Sequence, residues 1–133
     1  MIPRYSTSDM TNIWSTDNKY KIWLEIETLA CEAMEKSNLI PKGTTKNIKK
    51  RSNFDIDRIE EIEKETKHDV IAFLTNVGEY VGESSKYIHK GMTSSDVLDT
   101  CLSVQLNQAS SLLIKSLKKL MASLKTKAIE NKN

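Results

Sequence analysis

Apolar residues recur at intervals of three and four along most of the chain, a spacing typical of amphipathic helices. No segment alternates apolar and polar residues over the length of a strand, so the pattern predicts an all-α fold. The longest run begins around residues 93–96 and fills the C-terminal part of the sequence. Its apolar positions are Leu98, Cys101, Leu102, Leu106, Ala109, Leu113, Leu117, Leu120 and Leu124.

The first long helix is predicted after an irregular segment, residues 1–16. Asp17 or Asn18 is a suitable cap, and the helix is expected to run to about Ser37. Residues 38–45 contain proline and glycine and indicate a turn. The expected apolar face of this helix consists of Ile22, Ile26, Leu29, Ala30, Ala33 and Met34.

Two shorter helices are predicted in the middle of the chain. One covers residues 46–51. The other begins with the capping-box-like pair Asp57 and Glu60 and runs to about Thr66. Its narrow apolar stripe is formed by Ile59 and Ile62.

A further helix is predicted from Asp69, a good N-cap, to Gly82, a typical helix terminator. A loop over residues 83–91 then leads to the last helix and carries His89. The apolar face of the predicted helix consists of Val70, Phe73, Leu74, Val77 and Val81.

The last helix is too long for one small domain. If it runs from Ser95 to Glu130, it spans about 50 Å, whereas a small domain is about 30 Å across. Its distal leucines therefore need helices from another chain or from sequence outside this one. The expected organisation is a small helical N-terminal domain over 1–94, followed over 95–133 by the first long helix of a central helical bundle.

Composition agrees with a globular helical protein. The chain has 133 residues, 38% hydrophobic and 29% charged, with a net charge of +2 that gives no reason to expect a nucleic-acid partner. No apolar run is long enough for a membrane span, and a cytoplasmic protein is expected. Cys31 and Cys101 are interpreted as buried thiols, although a disulfide or a metal site stays open.

The histidines are candidate catalytic residues. His68 and Asp69 are adjacent, and a carboxylate beside an imidazole can orient it for proton transfer. The alternative is that Asp69 only caps a helix and His68 precedes the cap. His89 is a single loop histidine, and its spacing from His68 gives little support for a metal site.

Two further segments could bind anions. Thr93 and Ser94 lie where the long helix is expected to begin, and a helix N-terminus with hydroxyl side chains can hold a carboxylate or phosphate. The same hydroxyls could simply cap the helix. Arg4 and Tyr5 could clamp a phosphate or stack on a base, or they could belong to a solvated terminus.

The chain resembles the N-terminal part of the adenylosuccinate lyase family, within the fumarase/aspartase superfamily. The resemblance covers essentially the whole chain. The segments that carry it include Ile2-Pro3-Arg4-Tyr5, Trp23-Leu24-Glu25, Glu65-Thr66-Lys67-His68-Asp69-Val70 and His89-Lys90-Gly91-Met92-Thr93-Ser94-Ser95-Asp96.

The resemblance implies a lyase that releases fumarate by β-elimination from adenylosuccinate, giving AMP, and from the succinyl-carboxamide ribotide of purine biosynthesis. It implies no metal or redox cofactor, a homotetramer, and small-molecule substrates rather than nucleic acid or membrane. It also implies that Arg4 and Tyr5 contact the AMP portion and that Thr93 and Ser94 donate to a succinyl carboxylate. His89 would contact the phosphate or nucleotide.

By the same resemblance, Lys67, His68 and Asp69 line the nucleotide and the reacting centre, with His68 assisting proton transfer or orienting the acid. Position 67 is commonly arginine in the family, and lysine lacks the bidentate fork. The family's principal acid histidine and its catalytic serine belong to segments that are not among these 133 residues. The chain alone is therefore expected to be inactive.

Two other functions stay open. The exposed leucines or the lysine-rich face of the last helix could make the chain a stand-alone interaction module without catalysis. The histidine–glycine–threonine–serine–aspartate element also occurs in a cycloisomerase sibling of the same superfamily.

Overall fold

A computed structural model describes residues 2–132. Over these residues every regular element is helical, which confirms the expected all-α class. Short 3-10 helices cover Pro3–Tyr5 and Gly82–Tyr87. The α-helices are α1 (Ser8–Ile13), α2 (Thr16–Lys36), α3 (Thr44–Arg51), α4 (Ile56–Thr66), α5 (Asp69–Val81) and α6 (Ser94–Glu130).

The core forms around α2, against which α3 and the first half of α6 pack. Tyr20 and Trp23 of α2 meet Phe73 of α5, with both ring centroids 5.4 Å from that of Phe73. One pair is stacked and the other edge-on, the two arrangements that aromatic quadrupoles favour. The expected apolar face of α5 is confirmed, because its valines and Phe73 are fully buried.

The buried face of α2 differs from the one expected. Leu29 is half exposed and Ala33 is exposed, so they lie outside the core. The helix is also capped earlier than expected, by Ser15, whose hydroxyl accepts a hydrogen bond from Asn18 N. The residues that α2 buries are Tyr20, Ile22, Trp23, Glu27, Thr28 and Cys31.

Two other N-caps differ from those expected. The cap of α4 is Asp55, whose carboxylate accepts from Arg58 N, and Asp57 lies in the first turn. The cap of α5 is His68 rather than Asp69. In both cases the helix starts one or two residues earlier than expected. Several neighbouring polar side chains at such a position can cap the same N–H groups.

A carboxylate from α2 supports the start of α3. The cap position of α3 is Gly43, which has φ +88° and no side chain to offer. Glu35 replaces that cap, since its two carboxylate oxygens accept from Gly43 N (2.8 Å) and Thr45 N (2.7 Å). These hydrogen bonds hold the pKa of Glu35 below its usual value.

The contact between α4 and α5 is fixed by polar groups as well as by Ile59 and Ile62. The buried Asn76 accepts from Asp55 N at 2.8 Å. Arg58 pairs with Glu79 at 2.8 Å, and this pair holds the pKa of Glu79 below its usual value. These contacts join the start of α4 to the end of α5, away from the linker that carries His68.

The leucine stripe of α6 lies outside the core over its whole length. α6 has 37 residues and is about 55 Å long. It packs on α1 and α2 through a different face, formed by Val97, Cys101, Gln105 and Ala109. The stripe is 37% to 60% exposed and consists of Leu98, Leu102, Leu106, Leu113, Leu117, Leu120 and Leu124.

Three local expectations are corrected or confirmed. Residues 83–91 are not one loop, because their first part lies in the 3-10 helix Gly82–Tyr87. The N-terminal segment also contains regular structure, namely α1. Cys31 and Cys101 are buried free thiols, and burial raises the pKa of Cys31 to about 11.

Within residues 2–132, none of the helices is long and apolar enough to cross a membrane.

Candidate functional site

The candidate site lies where α5 and α6 begin. His68 precedes α5 and Ser94 opens α6, and the two residues are in contact. The distance from His68 Nε2 to Ser94 Oγ is 3.4 Å. Two helix N-termini therefore lie together, and both direct the partial positive charge of their helix dipoles to this region.

His68 is held by the helix that it caps. Its Nδ1 accepts from Ile71 N at 3.4 Å, so the proton of the neutral ring is on Nε2, facing Ser94 Oγ. Nδ1 is 3.6 Å from Asp69 Oδ1, too far for a hydrogen bond, and that oxygen accepts from Val70 N instead. The His68 side chain is 45% exposed, so the ring is accessible to a ligand.

Lys67 forms the turn between α4 and α5. It has φ +54°, the left-handed region that a lysine enters only under a local constraint. Here it ends α4, and its N–H donates to Glu63 O at 2.9 Å. The turn makes the chain change direction at once, and this brings His68 to the start of the next helix.

Thr93 and Ser94 have different surroundings. Thr93 caps α6 in a capping box with Asp96, whose carboxylate accepts from Thr93 N at 2.8 Å. Ser94 is in the first turn, and its hydroxyl contacts only His68 among the described residues. The segment therefore caps α6 through Thr93 and presents a second hydroxyl, that of Ser94, to His68.

His89 is tied to α2 by a residue that the sequence did not single out. Glu27 is 1% exposed, and its carboxylate lies 2.6 Å from His89 Nδ1 and 2.8 Å from His89 N. Glu27 lies four positions from both Trp23 and Cys31, in register with buried residues of α2. That register was the available signal, but Glu27 was not among the residues expected on the apolar face.

Arg4 and Tyr5 are in the first 3-10 helix and are exposed, Tyr5 by 79%. The Arg4 guanidinium lies 5.9 Å from the centroid of the Tyr5 ring. Among the described residues, neither side chain has a hydrogen bond or ion pair with the other candidate site residues. The fold thus brings His68 to Ser94 and leaves Arg4 and Tyr5 free to meet a ligand.

The fold is that of helical lyases. It is shared with the crystal structure of a fumarate lyase from Mesorhizobium sp. BNC1, with a TM-score of 0.76 over 86% of this chain and 29% of that chain. The identity is 21%, so this likeness concerns the fold. Residues 4–133 match the model of a family described as Lyase, and the chain therefore belongs to that lyase family.

Within this family, the chain is similar to curated adenylosuccinate lyases. The chain is 48% identical over 132 residues to the adenylosuccinate lyase of Bacillus subtilis (strain 168). It is 46% identical to that of Staphylococcus saprophyticus and 45% identical to that of Synechocystis sp.. Each match covers 99% of this chain but only 31% of the relative, so the chain spans about a third of the length of these relatives.

Proposed function

We propose that this chain acts as the N-terminal part of an adenylosuccinate lyase. The reaction is β-elimination of fumarate from adenylosuccinate, leaving AMP, and from the succinyl-carboxamide ribotide of purine biosynthesis. The contact between His68 and Ser94 carries the proposal. It places an imidazole, which can transfer a proton, beside a hydroxyl at a helix N-terminus, which can bind an anion. The identity to adenylosuccinate lyases over 99% of the chain supports it.

The first role is recognition of a carboxylate. The starts of α5 and α6 meet at His68 and Ser94, and the positive ends of both helix dipoles favour an anion there. Ser94 Oγ accepts from His68 Nε2–H, so its own O–H is left to donate to a carboxylate oxygen. Thr93 can donate to the same carboxylate, because its hydroxyl accepts the cap bond and keeps its own proton. The capping box of Thr93 with Asp96 also orders the first turn of α6.

The second role is proton transfer or its orientation. Elimination removes a proton from carbon and delivers one to the leaving nitrogen, and His68 has an accessible ring with its Nε2 facing the proposed carboxylate position. The cap bond from Ile71 N to Nδ1 orients this ring. The principal acid and the base would come from segments other than this chain.

Nucleotide contacts are proposed for the remaining residues. Arg4 can bind a phosphate with two parallel hydrogen bonds, and Tyr5 offers an exposed ring for stacking. Lys67 and His89 add donors, and Asp69 lies beside His68. No metal ion or other cofactor is required for these roles.

Assembly and location are part of the same proposal. The exposed leucine stripe of α6 needs partner helices, and a homotetramer with a central helical bundle would supply them. We place the domain boundary between residues 94 and 95, where α6 begins, with Val97 and Cys101 of its first turns still packed in the N-terminal core. A cytoplasmic location fits buried free thiols.

The test uses the complete lyase that carries this sequence. Ser94→Ala should lower kcat/KM for adenylosuccinate by about 10- to 100-fold, the value of a hydrogen bond to a charged group. Ser95→Ala is the matched control, because Ser95 is the next residue and is exposed; it should stay within about twofold. Equal rates for both variants, or no release of fumarate by the unaltered enzyme, would contradict the proposal.

The alternative function is an interaction module, and the exposed leucine stripe favours it. Such a module would bind a partner through α6 and show no lyase activity in any longer form. A cycloisomerase sibling would retain the fold but should not be protected by AMP. Thermal denaturation of the complete protein with and without AMP separates these possibilities.

A further inference from the structure

We propose that Glu27 is a positioning residue that fixes the ring orientation and the tautomer of His89, so that Nε2 is the ring nitrogen presented to substrate. The inference rests on the proposed function only for the identity of that substrate. The arrangement of the two side chains stands on the geometry of this chain.

Glu27 is a carboxylate in the interior, and among residues 2–132 its donors come from one residue. Its side chain is 2% exposed, and its two oxygens accept from His89 N and from His89 Nδ1. A buried carboxylate is unfavourable unless its oxygens are hydrogen bonded, and His89 supplies both bonds. The pair is therefore a single unit, in which neither residue is satisfied without the other.

The backbone of His89 depends on the same unit. His89 has φ +62°, a left-handed conformation that is unfavourable for a residue with a β-carbon. The bond from His89 N to Glu27 holds this conformation. One turn further along α2, the Cys31 thiol lies 3.6 Å from Tyr87 O and contacts the same segment. Two successive turns of α2 thus determine where the segment carrying His89 lies.

The ring chemistry follows from this placement. An ionised carboxylate can only accept, so Nδ1 of His89 carries a proton. Nε2 has no partner among the described residues and is the nitrogen left for a ligand. His68 should show the opposite tautomer, because its Nδ1 accepts from Ile71 N. The chain therefore contains two histidines with opposite expected tautomers.

The tautomers are measurable in the 133-residue chain. Nitrogen-15 spectra of the imidazole rings contain only His68 and His89, since the chain has 2 histidines, and His68→Asn assigns them. In alkaline solution His89 should be protonated at Nδ1 and His68 at Nε2. Glu27→Gln should move His89 toward the Nε2–H form, because an amide NH₂ can donate to Nδ1. An Nε2–H form of His89 in the unaltered chain would overturn the inference.

Glu35→Gln is the matched control. Glu35 is also a glutamate of α2 that accepts two hydrogen bonds from another segment, but its partners are Gly43 and Thr45. The control should leave both tautomers unchanged. If Glu27→Gln prevents folding, the spectrum of the unaltered chain still decides the question.

Kinetics of the complete lyase test the consequence for substrate. Glu27→Gln should raise KM for adenylosuccinate about tenfold or more with kcat changed less than about threefold, as expected when binding is weakened in ground and transition states alike. Glu35→Gln should change neither constant. A variant with lower thermal stability but unchanged KM and unchanged tautomer would show that Glu27 is merely structural. Failure to cleave adenylosuccinate would reject the proposed substrate, whereas the spectra would still test the role of Glu27.

Discussion

His68 caps a helix in this structure and has a proposed role in proton transfer, and two substitutions separate the two. It caps α5 through Nδ1, and its Nε2 faces Ser94. His68→Asn retains a cap acceptor, because asparagine is among the best N-cap residues, but it cannot transfer a proton at neutral pH. His68→Ala removes both functions. Comparing the two variants therefore isolates the chemistry from the stability of α5.

The expected stability difference is small. A cap acceptor contributes about 0.5–2 kcal/mol, and the lower end applies here because the bond is 3.4 Å long and the side chain is 45% exposed. His68→Ala should thus lose about 0.5 kcal/mol, which lowers Tm by roughly 2 °C. His68→Asn should melt close to the unaltered chain. Circular dichroism at 222 nm, the usual helix signal, measures both.

The expected kinetic effect is much larger. Loss of a group that transfers or orients a proton lowers kcat by about 10²-fold or more, so both variants of the complete lyase should be slowed to a similar extent. Fumarate release from adenylosuccinate is the assay. The reasoning is refuted if His68→Asn keeps full turnover while His68→Ala loses it, because the cap alone would then explain the effect of alanine.

Two further predictions concern stability and assembly. The pKa of Glu35 is lowered in the folded chain, so Glu35 stabilises the fold fully above the ordinary glutamate pKa of about 4.3, and this stabilisation is lost as the pH falls through the folded pKa. Urea denaturation should therefore show a free energy of unfolding that decreases in acid, and Glu35→Gln should make that decrease smaller. The leucine stripe should make the 133-residue chain self-associate or leave the last turns of α6 frayed, and Leu117→Glu with Leu120→Glu should yield monomers, whereas Lys118→Glu should not. Sedimentation measures the self-association, and amide exchange measures the fraying of α6. An unaltered chain that is monomeric and has a fully protected α6 would contradict this prediction.

Local pattern was sufficient where one face of a helix decided its place. The spacing of Val70, Phe73, Val77 and Val81 predicted the buried face of α5, and all four are fully buried. The buried face of α2 was harder to predict, because apolar residues lie on several sides of this helix and more than one face has the same periodicity. Only the positions of α5 and α6 around it selected the face with Trp23.

The candidate site was also only partly predictable from the sequence. Residue types near the starts of α5 and α6 indicated His68 and Ser94, but their contact joins positions 26 residues apart and depends on how the helices pack. The cap of α5 was misassigned to Asp69, because the competition between adjacent polar side chains is settled by backbone angles at the turn, where Lys67 has φ +54°.

The sequence by itself determined that the chain is helical, roughly where most of its helices lie, and which residues could bind or transfer charge, because periodicity and capping are local properties. The tertiary structure alone decided that Glu27 is buried against His89, 62 positions away, and that Leu102 and Leu106 near the start of α6 lie outside the core, like its distal leucines. Both depend on which helix faces pack together. That choice is made by the sum of many contacts distant in sequence, which no local spacing encodes.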